Sequence, residues 1–282
     1  MPRSPLFRIL AALAIIALCA CGPISGGDPP DAGPTPVDAR IDTSDSAPPP
    51  EYVSVYAHSA TTLYRLDPET LAPSTVGDFT FDGDAVNITD IALNRDGEMI
   101  AISLGEIFAV DRTTAHATKL ADSSEFGFTS LSFVPDPANP QNAEILISAN
   151  FAGEVYRIDP NTGISTLIGD YGVDNQGRDI GSSGDIVSVI GFGTVATVNV
   201  EDEPNDFIAW INPTTFEASL IGDTGFDRIF GVGFWRGTVY GFTDNAEFLT
   251  IDVESNGQAD YFASSVVEWW GAGVSTIAPI IE

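Results

Sequence analysis

One phrase, written five times, constrains this chain more than anything else in it. An apolar pair, an alternating partner and then Asp or Asn opening a turn read Leu63-Tyr64-Arg65-Leu66-Asp67, Ile107-Phe108-Ala109-Val110-Asp111 and Val155-Tyr156-Arg157-Ile158-Asp159. The phrase returns as Ile208-Ala209-Trp210-Ile211-Asn212 and Phe248-Leu249-Thr250-Ile251-Asp252. Its Asp/Asn positions stand 44, 48, 53 and 40 residues apart, the period of a β-propeller blade and too long for a leucine-rich repeat.

The residues around the phrase predict the rest of each blade. In Asp159-Pro160-Asn161-Thr162-Gly163, Asp caps the backbone two residues on, Pro presets φ, and Gly163 takes the left-handed position. An outer strand follows each turn, as in Ser165–Gly169 and Ala218–Gly222. Before each phrase come two more strands. The inner one alternates small and apolar residues: Asp90–Leu93, Ser130–Phe133, Asp185–Ser188, Gly231–Phe234 and Gly271–Val274. Small residues suit strands that crowd around an axis. The second strands are Met99–Ser103, Ile145–Ala149, Val195–Val200 and Val239–Thr243.

The first blade opens with its second strand, Tyr52–Ala57, while Trp270–Thr276 is an inner strand with nothing after it. Setting the last strand inside the first blade completes an all-β, five-bladed propeller with four antiparallel strands per blade, over residues 51–282, and removes both open edges. The run VYRIDPNTGISTLIG resembles the repeat of extracellular bacterial propellers of the quinoprotein-like, YVTN and NHL sort. That resemblance implies the fold and little else. The tryptophan that docks quinoprotein blades is absent after Gly163, so no quinone cofactor is implied.

The first fifty residues follow another logic. Arg3 and Arg8 precede an apolar stretch, Ile9–Leu18, too short to span a bilayer. Leu18-Cys19-Ala20-Cys21 resembles a lipobox, which implies a lipoprotein signal peptide over residues 1–20 and lipidation of Cys21. Residues 21–50 then read as a tether. Its Pro/Asp-rich sequence lacks the apolar surface to offset the entropy of ordering and is expected to stay disordered. Fully extended, it would reach roughly 90 Å at about 3.1 Å per residue. Gly22, rather than Asp, after the modified cysteine implies by the same resemblance an outer-membrane address, on the periplasmic face or the cell surface. No thiol is left for a disulfide or for cysteine chemistry.

The formal net charge is −29, and Lys119 is the only lysine. Phosphate-backbone binding needs clustered Lys and Arg, so nucleic acid is excluded as a partner. Expected partners are the membrane, through the N-terminal lipid, and a glycan, peptide or protein ligand of unknown identity. The propeller is expected to be a monomer. No Gly-x-Ser-x-Gly elbow, His-Glu-x-x-His helix or phosphate loop occurs, and the only histidines are His58 and His116. No catalytic residue is assigned.

Carboxylates are the plentiful reactive groups. Asp90 and Asp185 match in the repeat at the starts of inner strands, Ser130 shares their position, and Phe230 and Trp270 precede the equivalent glycines. These five are the candidate ligand-binding residues at the channel mouth. Two carboxylates with aromatic walls suit a sugar, and the enzyme alternative is a glycoside hydrolase-like site. The structural alternative is that Asp at this position satisfies backbone N–H groups of neighbouring blades. Oxygen-rich loops make Asp82, Asp84, Asp174 and Asp179 candidates for Ca2+, although none matches the calcium-loop pattern. No other cofactor is expected. The function read here is a lipid-anchored cell-envelope binding or protein-interaction module, with a scaffold in an envelope complex as a third reading.

Overall fold

A computed structural model of the chain describes residues 53–67, 70 and 72–281. The leader, Cys21 and the tether lie outside the described residues. Five small sheets account for the strands, with no helix among the described residues. The first blade holds β1 (Tyr56–His58), β2 (Thr62–Leu66) and β3 (Pro73–Asp78). A short β4 (Thr80–Phe81) joins the second blade, β5 (Asp90–Leu93), β6 (Met99–Ile102), β7 (Glu106–Val110) and β8 (His116–Asp122). The third contains β9 (Ser132–Pro135), β10 (Glu144–Ala149), β11 (Glu154–Ile158) and β12 (Ser165–Asp170). The fourth contains β13 (Ile180–Val189), β14 (Gly193–Val200), β15 (Phe207–Ile211) and β16 (Ala218–Asp223). The fifth contains β17 (Ile229–Trp235), β18 (Thr238–Thr243), β19 (Glu247–Ile251) and β20 (Ala259–Ser264), and β21 (Gly271–Gly273) comes last.

The ring closes as its ends require. β21 lies in the first sheet, in the order β21-β1-β2-β3, with Tyr56 opposite Gly273, Ala57 opposite Ala272 and His58 opposite Gly271. The inner strands β5, β9, β13, β17 and β21 contact one another in sequence and return to β5. Trp269, fully buried, seals the seam. Its indole packs against Tyr64 of the first blade and Phe248 of the fifth at centroid separations of 5.3 Å each. After β21 the chain crosses the far side of the ring. Ser275 Oγ donates to the Asn94 carbonyl (2.8 Å), Ile190 N–H to Thr276 (2.8 Å) and Arg236 N–H to Pro279 (2.9 Å), while Thr276 also bonds Glu144.

Blade-to-blade packing follows a rule that the repeat phrase does not display. Every third-to-outer strand pair breaks register once, just beyond Leu63, Ile107, Val155, Ile208 and Phe248. Opposite these positions stand Gly77, Ala121, Gly169, Gly222 and Ala263, all small. At the first four the turn of the next blade docks. A Cβ on Gly222 would lie 1.7 Å from the Asn256 carbonyl oxygen, so the backbone contact forbids a side chain. The Asx caps are present: Thr113, Asn161, Thr214 and Glu254 N–H donate to Asp111, Asp159, Asn212 and Asp252 at 2.8–3.0 Å. Gly163 is left-handed, and Ala115 and Phe216 take the equivalent place in their blades.

Two inner strands differ from expectation. β9 starts at Ser132 instead of Ser130, because Ser130 Oγ accepts the Ala149 N–H (2.9 Å) in place of a ladder bond. β13 runs ten residues, with a register break between Ser182 and Ile186. The break sends Ser183 to Asp206 and Asp185 to the axis.

Candidate functional site

The repeat-matched residues lead to the axis. Asp90 and Asp185 are both fully buried and in side-chain contact with each other. Asp185 accepts the N–H of Ile186 (2.6 Å), of Val232 in the fifth blade (2.8 Å) and of Ala272 in the first (3.3 Å). Asp90 accepts the N–H of Ile91 (2.8 Å), and the nearby N–H of Leu131 in the third blade also favours its charged form. Two carboxyls therefore bond the inner segments of four blades, with the Leu131 amide of the third close by.

Two ionised carboxylates cannot sit in contact without water. Burial raises both pKa values, and for Asp90 the charge of Asp185 raises it further; Asp185 is pushed up to about 8. The pair thus keeps a proton at neutral pH. Three backbone donors make Asp185 the better acceptor, so Asp90 is the acid that donates. A proton shared in this way occupies Asp90 Oδ2, which meets no N–H or hydroxyl donor. Beside the pair stands His58, also fully buried, its Nε2 3.9 Å from Asp90 Oδ1. Its Nδ1–H donates to the Ser59 carbonyl (2.8 Å), which settles the tautomer, and burial lowers its pKa to about 4, so the ring is neutral. Gly271 makes the room: a Cβ there would lie 2.4 Å from both His58 Nε2 and Asp90 Oδ1. Tyr171, buried nearby, feels the Asp185 charge and has its pKa raised mainly by burial.

The five sequence candidates part company. Asp90, Ser130 and Asp185 are buried without solvent contact. Phe230 is half-buried on the surface with the Arg228 guanidinium 5.9 Å from its ring centroid. Trp270 is half-buried and forms a wall of two surface clefts. One, of about 560 Å3, is lined by Val86, Asn87, Thr89, Leu104 and Glu106 among others; the second, of about 440 Å3, by Ser59, Thr61, Tyr64, Val266 and Glu268 among others.

The loop candidates for Ca2+ do not gather into a coordinating group. Asp174 is spent on the Gln176 and Arg178 N–H groups and the Arg178 guanidinium (2.8 Å each to Gln176 and to Arg178 Nε), which hold its carboxyl below the usual range. Asp82 lies 3.4 Å from His116 Nε2 in the open. Asp84 is exposed, and Asp179 pairs with Val173 through its backbone. No cluster of three or more Asp, Glu, His or Cys side chains suited to a metal occurs among the described residues.

Sequence reasoning passed over the exposed apolar side chains. Leu104, Phe126 and Phe151 are 71–72% exposed and Val266 is 99% exposed. All four follow a second or an outer strand, so the antiparallel order puts them on the face where the inner strands begin, beside Trp270. The Phe126 ring lies over Gly105, next to Leu104: a Cβ on Gly105 would come within 3.0 Å of it. The bridge between Phe128 and Asn150 sets Phe151 across from Gly127. The available signal was a single large apolar residue amid turn formers, as in Ser103-Leu104-Gly105 and Asn150-Phe151-Ala152-Gly153.

No family model and no curated protein matches the chain. Among solved structures it is similar to a chain from a nidogen/laminin complex, at 10% identity and a TM-score of 0.49 over 78% of this chain and 97% of that one. A protein of unknown function from Bacteroides caccae is similar at 10% identity and a TM-score of 0.41, over 75% of this chain and 72% of that one. BamB from Moraxella catarrhalis is similar at 12% identity and a TM-score of 0.37, over 78% of this chain and 61% of that one. At such identities and TM-scores none of them says what this chain binds, and its own surface has to.

Proposed function

We propose that the chain is an exported, lipid-anchored interaction module that docks a partner protein on the face where its inner strands begin. The observation that carries this reading is the exposure of Leu104, Phe126 and Phe151 side by side on that face. Contiguous apolar side chains in water mark interaction surfaces when they are rimmed by polar residues. Glu125 stands exposed beside Phe126. With a net charge of −29, the approach of a basic partner is favoured at long range. The buried acid pair supports no hydrolytic reading, since both carboxyls are committed to backbone amides and to each other.

A photo-crosslinking residue at position 126 should capture a discrete partner in the envelope, and one at position 164 on the opposite face should not. Phe126→Glu should abolish the docking that a Phe151 probe reports. Equal capture from both faces would remove the assignment. For the anchor, which the signal-peptide resemblance and the Pro/Asp-rich stretch support, radiolabelled fatty acid should enter the wild type and be absent from Cys21→Ala. An unlabelled wild type whose mature chain starts elsewhere means the protein is not lipidated at Cys21.

A further inference from the structure

The two clefts share a wall. Trp270 is held where its N–H donates to the His58 carbonyl (2.8 Å), one residue before β21 begins, and its side chain separates the cleft of about 560 Å3 from that of about 440 Å3. Each is the size of a small-ligand site. Together they follow the boundary from the fifth blade past the first to the second, with Val266 at one end and Leu104 at the other.

We propose that the clefts on either side of Trp270 form one groove that takes an extended, cationic segment of a partner polypeptide, its apolar side chains seated beside Trp270. This rests on the docking reading above and names the chemistry of its occupant. Four observations converge on it. Val86, Leu104, Val266 and Trp270 give the groove apolar walls on both sides of the divide. No Lys or Arg lines either cleft, whereas Glu106 lines one and Glu268 the other. Glu106 is neutralised by Lys119 at 2.5 Å, but Glu268 is exposed and meets no cation among the described residues.

The fourth observation is the wall itself. Residues 83–87 lie outside any strand, Val86 and Asn87 line the first cleft, most of the five are exposed, and none makes a backbone–backbone hydrogen bond among the described residues. An extended segment has unpaired N–H and C=O groups of its own, and pairing with such a stretch is how strand-like peptides add to a protein surface. A sugar fits less well. Val86, Leu104 and Val266 stack poorly on a pyranose, whereas they match Leu or Val side chains. Alternating apolar and basic residues would place side chains in the clefts and their charges toward Glu268.

The full chain, purified in detergent, is panned against a phage-displayed library of random dodecapeptides, and synthetic versions of the selected peptides are titrated by fluorescence anisotropy. Selected sequences should combine Lys or Arg with Leu, Val or aromatic residues. Trp270→Ala and Glu268→Lys should each weaken binding at least tenfold, and Ile164→Ser, on the opposite face, should leave it within twofold. Leu104→Ser, a change at an exposed position, carries the test if Trp270→Ala fails to fold. Enrichment of acidic or uncharged peptides overturns the proposal, as does binding indifferent to Trp270, Leu104 and Glu268. So does Trp270-dependent binding of neutral oligosaccharides on a glycan array, which replaces the peptide with a sugar. If the groove variants bind like wild type while crosslinking from position 126 persists, the groove fails and the docking face stands. If position 126 captures nothing, the docking face itself is wrong.

Discussion

At the axis, Asp90, Asp185 and His58 lie fully buried, and the two carboxyls are committed to backbone amides of four blades and to each other. On the face beside it, Leu104, Phe126 and Phe151 stand 71–72% exposed. Ionisable side chains are inside and apolar ones outside, the reverse of the usual partition. The axial residues occupy matched repeat positions, and the ring needs what they do. The exposed ones occupy loop positions that the repeat leaves free, and nothing in the ring needs them. In a propeller, residues that recur in register build the scaffold, and residues that break register are available for recognition.

The severest way to break the comparison is to open the ring. Deleting residues 269–282 removes β21, the Trp269 seal and the crossing that ties Asn94, Glu144, Ile190 and Arg236 together. It also strips Asp185 of one backbone donor. Cooperative thermal unfolding should disappear. Trp269→Ala alone should cost about 3–5 kcal/mol in a denaturant titration, because the indole is buried against both neighbouring blades.

Next in size is the acid pair. Asp185→Ala leaves three buried N–H groups without acceptors, at about 1–3 kcal/mol each. Asp90→Asn should cost far less, since its amide can donate to Asp185 as the carboxylic acid does. Acidity separates the two further. A carboxyl held near 8 when folded and near about 3.9 when unfolded binds a proton in the folded state that the unfolded chain has released. Its contribution is complete below about pH 4 and is lost as pH rises toward 8, at roughly 1.4 kcal/mol per pH unit for each proton. His58, lowered to about 4, acts in the opposite sense from there up to its ordinary value of 6.5, and Asp206, raised to about 6, has finished titrating by then. Between pH 6.5 and 8 the pair dominates. Wild-type stability should fall across that window, and Asp90→Asn, having lost one titrating group, should fall less steeply. Parallel curves would mean that the two carboxyls do not share a proton.

Much of the scaffold is readable in the sequence because its determinants are local or recur in register. The Asx turns after Asp111, Asp159 and Asn212 need only their own four or five residues. The closure by β21 follows from counting strands. Matching Asp90 with Asp185 follows from repeat alignment, but their burial does not, because it depends on five inner strands converging from distant segments. His58 reaches the axis only because β1 pairs with β21, some 210 residues away in the chain. The docking glycines escape notice for a similar reason: Gly222 is small on account of Asn256, and no period-two or turn signal marks that contact. The exposed face was the least legible. A lone Leu104 or Phe126 in a loop reads as noise until the fold shows that three such loops meet.

The smallest expected effect on stability tests the other half of the comparison. Phe126 and Phe151 retain most of their surface in water when the protein is folded, so truncating them changes little between the folded and unfolded states. Surface substitutions of this kind stay within about 0.5 kcal/mol, against the about 3–5 kcal/mol of a buried aromatic. Phe126→Ser and Phe151→Ser should therefore melt like wild type, and the double variant should be additive. The same variants should lose partner capture, because a side chain that contributes nothing to the ring contributes its apolar surface only when something covers it. If either single variant loses more than about 1.5 kcal/mol, its ring is packing against its own blades. The exposed face would then be part of the scaffold, and the contrast with the axis would collapse from that side.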